Sequence, residues 1–429
     1  MTHKTIRVGG LTRVEGEGAL LVRAHDGRIT DLRLRIYEPP RFFEALLRGR
    51  AYTEPPDITA RICGICPVAY QMSACQALES ACGVTVDGTL RDLRLLLYYG
   101  EWIESHALHI YLLHAPDFLG YPSGVAMAAD HRPAVERGLA LKKAGNELVA
   151  AIGGRAIHPV NVRLGGFYKT PSRAELAPVA ERLRHALDIA LTTADWASGF
   201  HFPDVEHDYR FLALRHPSEY AILSGDVAVS DGGTFPVADW PGHVVEEQVP
   251  HSTALHARLD GRPGYLTGPL ARYALNAPQL SPLAKRTAAE VGLGRVCRNP
   301  FRSILVRAVE IIHACEEALR LIDGYIPPDR PALPVTAHPG VGHGASEAPR
   351  GTLYHRYRID DAALIAEADI VPPTAQNQAR IEADLHALVE PRLDLPIPQL
   401  AELCERAIRN HDPCISCSAH FLDLHVHHD

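Results

Sequence analysis

Between Thr5 and Arg35 the apolar residues fall in short runs, with Ile6, Val8, Leu20, Val22, Ile29, Leu32 and Leu34 set among polar neighbours. That spacing predicts strands, and Asp26-Gly27 predicts a hairpin turn between two of them. Further along, the period lengthens. Helical spacing dominates at about 88–115, 131–152, 173–200, 302–324, 376–391 and 397–410. In the first of these, Leu93, Leu96, Leu97, Trp102, His106, His109 and Leu113 recur near helical spacing, which makes both histidines hydrogen-bonded core residues before it makes them ligands. Between about 201 and 300 the periodicity fades into short β-like runs broken by Asp231-Gly232-Gly233, Trp240-Pro241-Gly242 and Arg262-Pro263-Gly264, the pattern of a loop-rich insert. The expected fold class is mainly α with peripheral β (α+β): a long-helix bundle with a β-rich segment at about 1–36.

Some stretches break the pattern. Thr12-Arg13-Val14-Glu15-Gly16-Glu17-Gly18 carries two acids and two glycines, which alone suggests a bulged edge strand with solvated carboxylates. After Pro39-Pro40 a short helix is expected, its aromatic and leucine face turned inward and Glu44 at the surface. Pro67 suits the first turn of a helix over Ala69 to Cys82, ended by Gly83. Two glycine-bearing stretches read as loops: Arg155 to Gly166, and Gly342 to Gly351, where Arg350 sits in a tight bend between Pro349 and Gly351. An arginine flanked by glycines can approach a buried ligand.

Composition narrows the field. The chain has 429 residues, 46% hydrophobic and 22% charged, enough to bury a large core. A net charge of −8 with no basic run speaks against nucleic acid as a partner. The first residues lack the apolar stretch of a signal peptide and no run is long enough to span a bilayer, so a cytoplasmic location without membrane insertion is expected. Nine cysteines in such a chain read as thiols or ligands and not as a disulfide scaffold. Cys75, Cys82, Cys315 and Cys404 fall in helix-like apolar segments and Cys297 in a loop, whereas the other four form two CxxC pairs, Cys63/Cys66 and Cys414/Cys417, roughly 350 positions apart. Closing so long a loop needs a strong local reward, which a thiolate-bound metal supplies. The pairs alone admit a structural zinc site, an iron–sulfur cluster or a transition-metal active site. The zinc pattern usually staples a small domain that lacks its own core, which this chain is not.

The residues around the pairs carry a resemblance. Arg61-Ile62-Cys63-Gly64-Ile65-Cys66, Asp412-Pro413-Cys414-Ile415-Ser416-Cys417-Ser418-Ala419-His420, Arg13-Val14-Glu15-Gly16, Pro40-Arg41-Phe42-Phe43-Glu44, Glu104-Ser105-His106, His158-Pro159 with Gly165-Gly166, and Glu347-Ala348-Pro349-Arg350-Gly351 resemble, in order, the motifs of the large, catalytic subunit of nickel–iron hydrogenases. The subgroup most similar is that of the cytoplasmic bidirectional NAD(P)-linked hydrogenases, or sulfhydrogenases. The resemblance implies that Cys63, Cys66, Cys414 and Cys417 hold nickel, with Cys66 and Cys417 bridging to an iron bearing carbon monoxide and cyanide. It implies further that Glu15 relays protons, that Arg350 and Asp412 lie beside the open metal site, that Thr374 hydrogen-bonds a cyanide, and that Glu44, the carbonyl of Ile370 and His420 bind a magnesium-like ion.

The same resemblance implies one catalytic domain over 1–420 and a C-terminal extension, 421–429, removed by a maturation endopeptidase after nickel-insertion factors have acted. Partners implied are an iron–sulfur small subunit and flavin- and iron–sulfur-bearing NAD(P)-reactive subunits, with neither flavin nor iron–sulfur cluster in this chain. Tyr70 stands where many relatives carry His, Ser105 where many carry an acid, and Glu17 where many carry His. Two other classes remain to weigh against the enzyme: a non-catalytic scaffold like the respiratory complex I relative, which loses the metal cysteines, and a regulatory H2 sensor, which usually lacks the cleavable tail.

Overall fold

A computed structural model describes residues 3–39 and 42–419. Seven helices make the body: α1 Pro67–Ala81, α2 Gly88–Leu108, α3 Arg132–Gly153, α4 Arg173–Ser198, α5 Ser303–Asp323, α6 Pro373–Val389 and α7 Ile397–Asn410. α2 is central, packed against α3 on one side and α5 on another, with α4 covering α3 and α5. Leu93, Leu96, Leu97, Trp102 and Ile103 of α2 are wholly buried among Leu141, Leu148, Ile304 and Ile311. The close approach of α2 and α3 depends on small residues: a Cβ on Gly145 would stand 2.6 Å from the carbonyl oxygen of Gly100. The helical pattern expected to run on to residue 115 continues past α2 as a π-helical turn, His109–His114.

Caps follow the sequence signals. Ser172 and Glu175 form a reciprocal capping box at the start of α4, and Pro67 occupies the first turn of α1, which stops before Gly83 at φ +66°.

Two antiparallel meanders flank the bundle. The first joins β1 His3–Val8, β2 Gly18–His25 and β3 Arg28–Ile36, with Asp26-Gly27 in left-handed conformation at the β2–β3 turn as the dipeptide predicts. Its inner face, Ile6, Val22 and Leu34, packs on Leu385 and Leu388 of α6 and on Leu400 and Ile408 of α7. The second joins β4 Gly340–Ala348, β5 Gly351–Ile359 and β6 Ile365–Val371.

Here expectation and structure differ, because the glycines of β4 mark close backbone approach and not a loop. A Cβ on Gly342 would lie 1.9 Å from the Ala77 carbonyl oxygen, and one on Gly344 2.4 Å from that of Ser73. The strand therefore lies directly against α1, and Arg350 occupies the β4–β5 hairpin turn. Gly165 and Gly166 serve the same end, with carbonyls of Leu333 and Pro331 filling the space of their absent side chains.

The segment 201–300 is more ordered than its weak periodicity predicts. It forms two small three-stranded sheets and the helices Pro269–Asn276 and Pro282–Glu290, too short for the pattern to register. The short helix Phe43–Leu47 also departs from expectation: Leu47 and Glu44 are buried, while Phe42 and Leu46 are about half exposed. Among the described residues, no helix is long and apolar enough to cross a membrane.

Candidate metal centre

The two CxxC pairs meet in the core. Ala60–Ile62 makes a single 3-10 turn, Cys63 follows in extended conformation, and Cys66 is the residue capping α1. At the other end of the chain, α7 stops at Asn410. Asp412 then takes φ +50° and Pro413 leads to Cys414, after which the turn of helix Ile415–Ser418 presents Cys417. Cys63 Sγ lies 3.5 Å from Cys414 Sγ, Cys66 Sγ 3.8 Å from Cys417 Sγ, and the two C-terminal sulfurs 2.9 Å from each other. All four are buried and all four sulfurs lie within 4.8 Å of one another. Sulfurs that close, in residues 351 positions apart, share protons: the thiol of Cys414 holds Cys63 well below the ordinary cysteine range, while burial pushes Cys414 up. A soft divalent ion takes the place of those protons, so the donor set fits a thiolate-bound transition metal. The other five cysteines are free and buried apart from this cluster, and burial raises each of their thiols.

Glu15 is not a solvated strand residue. The loop between β1 and β2 presses on the C-terminal turn, the Glu15 carbonyl accepting from Ile415 N at 2.9 Å. Its carboxylate Oε2 accepts from Ser416 N at 3.0 Å and lies 3.1 Å from Cys414 Sγ. Gly16 makes this possible, since a Cβ there would stand 2.7 Å from Glu38 Oε1 and 2.8 Å from Ile415 Cβ, at φ +87°. Arg13 anchors the same loop to the helical body through Leu113 O at 2.9 Å and Asp117 at 2.6 Å. Glu17, by contrast, is exposed.

Arg350 is 3% exposed and donates from Nε to the Asp412 carbonyl at 2.8 Å and from Nη2 to its carboxylate at 3.1 Å. Burial opposes its charge, but Asp412 and the neighbouring thiols outweigh burial and keep the guanidinium protonated. Arg350 Nη1 and Asp412 Oδ2 are buried without a hydrogen-bond partner. Thr374, in the first turn of α6, accepts from Cys414 N at 3.0 Å. Tyr70 is buried on α1 below Cys66, and burial, then the Cys417 and Cys66 sulfurs, raise its hydroxyl. Ser105 is fully buried on α2.

The positions implied as a magnesium site are brought together only in part. Glu44 is buried and its Oε1 accepts from the backbone N–H of Ile370 at 2.7 Å. Glu246 stands nearby, its carboxyl raised by burial first and then by the charge of Glu44. His420 lies outside the described residues, as do Pro40, Arg41 and the extension 421–429.

Several supporting residues escaped the sequence reading. Glu101 is buried on α2 and accepts from Val68 N at 2.7 Å and Ala69 N at 3.1 Å, satisfying the free N–H groups of α1 directly behind Cys66. Arg272, from the helix Pro269–Asn276 of the insert, donates to the carbonyls of Ala348 at 2.8 Å and Pro349 at 2.9 Å, which fixes the turn that carries Arg350. It is held in turn by Glu310, which also meets His106 at 2.9 Å and Tyr220 at 2.8 Å. Burial works against ionising Glu310, yet Arg272 outweighs it and keeps the carboxyl well below the usual carboxylate range. Only the place of Glu101 just before Trp102 in an apolar helix hinted at burial, and Arg272 gave no signal at all.

Fold and site together define a protein built around a buried, thiolate-lined metal centre with a carboxylate and an arginine at its edge. The family model for nickel-dependent hydrogenases matches residues 41–137 and 285–420, and the chain is 35% identical to sulfhydrogenase 1 subunit alpha of Pyrococcus furiosus over 98% of both chains. The chain belongs to the nickel-dependent hydrogenase family, as a catalytic large subunit and an oxidoreductase. Sulfhydrogenase 2 subunit alpha of the same organism is 34% identical, covering 98% of this chain and all of that one. Among solved structures, an NAD+-reducing [NiFe]-hydrogenase in the H2-reduced state superposes with a TM-score of 0.87 at 26% identity, covering 97% of this chain and 99% of that one.

Proposed function

We propose that this chain activates H2 reversibly within an assembly that carries electrons through an iron–sulfur small subunit to flavin- and iron–sulfur-bearing subunits that react with NAD(P). The observation that carries the reading is the convergence of four buried cysteine sulfurs within 4.8 Å, with the Glu15 carboxylate 3.1 Å from one of them. In this reading Cys63, Cys66, Cys414 and Cys417 would hold a nickel–iron group whose iron would carry carbon monoxide and two cyanides, with Cys66 and Cys417 serving both metals. Once bound, that group supplies the electrophilic centre at which H2 is split heterolytically.

The chain's residues then have separate tasks. Cys414 takes the proton on its sulfur and Glu15 receives it across the 3.1 Å contact, the Ser416 N–H steadying the carboxylate. Arg350, kept charged by Asp412, lies beside the cysteines with an N–H to spare and lends the site a fixed positive charge. Thr374 accepts from Cys414 N and would have its hydroxyl hydrogen to offer a cyanide of that group. The closed core around the sulfurs keeps water out. Glu44, the Ile370 carbonyl and His420 would bind a hard divalent ion such as Mg2+, a role supported by the buried carboxylate of Glu44 and by the half-buried Glu246 near enough to feel its charge. Removal of 421–429 by a maturation endopeptidase after metal insertion, and a cytoplasmic location, belong to the same reading.

The NAD(P) acceptor is supported by the likeness to the NAD+-reducing [NiFe]-hydrogenase. Replacing Cys417 by Ser in the assembled complex tests the reading. Loss of H2-dependent dye reduction is the expected result; undiminished dye reduction would contradict it.

A further inference from the structure

Away from the four cysteines, two histidines of the insert and one glutamate of α6 converge on a single point. His251 lies in the loop between the strands Val244–Glu247 and His256–Leu259, and His256 opens the second of these. Glu382 projects from the middle of α6. One ligand atom from each of the three lies within 4.8 Å of the other two. His251 Nε2 is 2.8 Å from Glu382 Oε1, and the two imidazole rings meet edge to face with centroids 5.5 Å apart.

A His–Glu hydrogen bond alone would explain the first pair. It does not explain His256, which is 5% exposed and whose Nε2 is buried with no hydrogen-bond partner. Nitrogens left so are costly, and a site that brings one to a carboxylate and a second imidazole supplies three of the four ligands of a tetrahedral coordination sphere.

We infer that His251, His256 and Glu382 form a second metal site, for a borderline divalent transition ion and zinc above all. Two imidazoles and one carboxylate suit zinc, whereas magnesium and calcium require oxygen-dominated sets. The sulfurs of the active site play no part: Glu382 lies eight residues beyond Thr374 on α6, about 12 Å along the helix axis. His251 and Glu382 side chains are 16% and 18% exposed, which leaves an entry path and room for water as a fourth ligand.

The ion's effect is mechanical. It fastens the insert to α6, and because Glu382 Oε1 also accepts from Leu34 N at 2.8 Å, to β3 as well. The intervening Thr253 donates to the carbonyls of Ile36 at 2.8 Å and Glu38 at 2.9 Å, and Ala254 packs with Ile36, Ile415 and Ala419. The clamp therefore steadies the loop against which the C-terminal cysteine turn rests.

The test uses the assembled enzyme with its active-site metals in place, freed of loosely held ions with a chelator and then titrated with ZnCl2. Expected are one further equivalent of zinc, a thermal midpoint that rises with free zinc, and no competition from Mg2+. H256Q and E382Q should each weaken zinc binding at least about tenfold while H2-dependent dye reduction stays at the wild-type level. Gln at 382 can still accept from Leu34 N, so E382Q serves where H256Q does not assemble. Cobalt taken up in place of zinc should show tetrahedral d–d bands without thiolate charge transfer. Failure of the wild type to hold the extra equivalent, or equal zinc affinity in wild type and both variants, would overturn the inference.

Discussion

Glu15 shows how much one side chain depends on its neighbours at this site. Its carboxylate reaches Cys414 only because Gly16 lets the loop lie against Ile415 and Ser416, and because Arg13 ties that loop to Asp117. E15Q keeps an oxygen for the Ser416 N–H but cannot take up a proton. Proton transfer by a placed base typically contributes about 10²–10⁴-fold, so dye reduction by E15Q should fall by that order while its nickel content stays at the wild-type level. Activity within about twofold of wild type would remove Glu15 from the proton path. At this scale the cysteine motifs were legible because their spacing is local and their residue type rare. Glu101 and Arg272 were not, since a charged residue on a helix is normally solvated and only the folded chain shows what it touches. Glu44 and Glu15 looked ordinary by composition for the same reason, and stood out only through the motifs around them.

Among the elements, helices with several turns of apolar spacing were predicted to within a few residues, as α3 and α7 illustrate. The pattern failed where structure is set by contacts distant in sequence. β4 looked like a loop because its glycines carry no side chain to alternate, yet those glycines are what admit the strand against α1. G344A places a Cβ 2.4 Å from the Ser73 carbonyl, whereas one at the exposed Gly233 meets nothing within 4 Å. Overpacking of this kind costs roughly 1–3 kcal/mol, so G344A should lower the thermal midpoint clearly and G233A hardly at all, measured at one scan rate. Equal midpoints for both would mean that β4 does not press on α1. The short helices Pro269–Asn276 and Pro282–Glu290 were missed because eight or nine residues give too little period to read, and Pro269–Asn276 supplies the arginine that holds the Arg350 turn.

For the whole molecule, buried histidines set the response to acid. Burial depresses both His106 and His313 to about 4, against about 6.5 in an unfolded chain. Between those values the unfolded chain binds more protons than the folded one, so stability is fully present above about pH 6.5 and falls as pH drops toward 4. Proton uptake on unfolding at pH 5 should accordingly decrease by about one in H313Q, whose amide oxygen can still accept from Ser281 N; an unchanged uptake would show that His313 already titrates normally in the folded state. The same interior that keeps these imidazoles neutral encloses the four sulfurs, and the Glu15 loop packs on the turn Ile415–Ser418 beside them. Metal analysis of the processed complex, purified with its partner subunits, tests this account most directly. Nickel and iron should be present at one each per large subunit beyond the iron of the partners, and both should be lost from a complex carrying C417S. An active wild-type complex without nickel would contradict it.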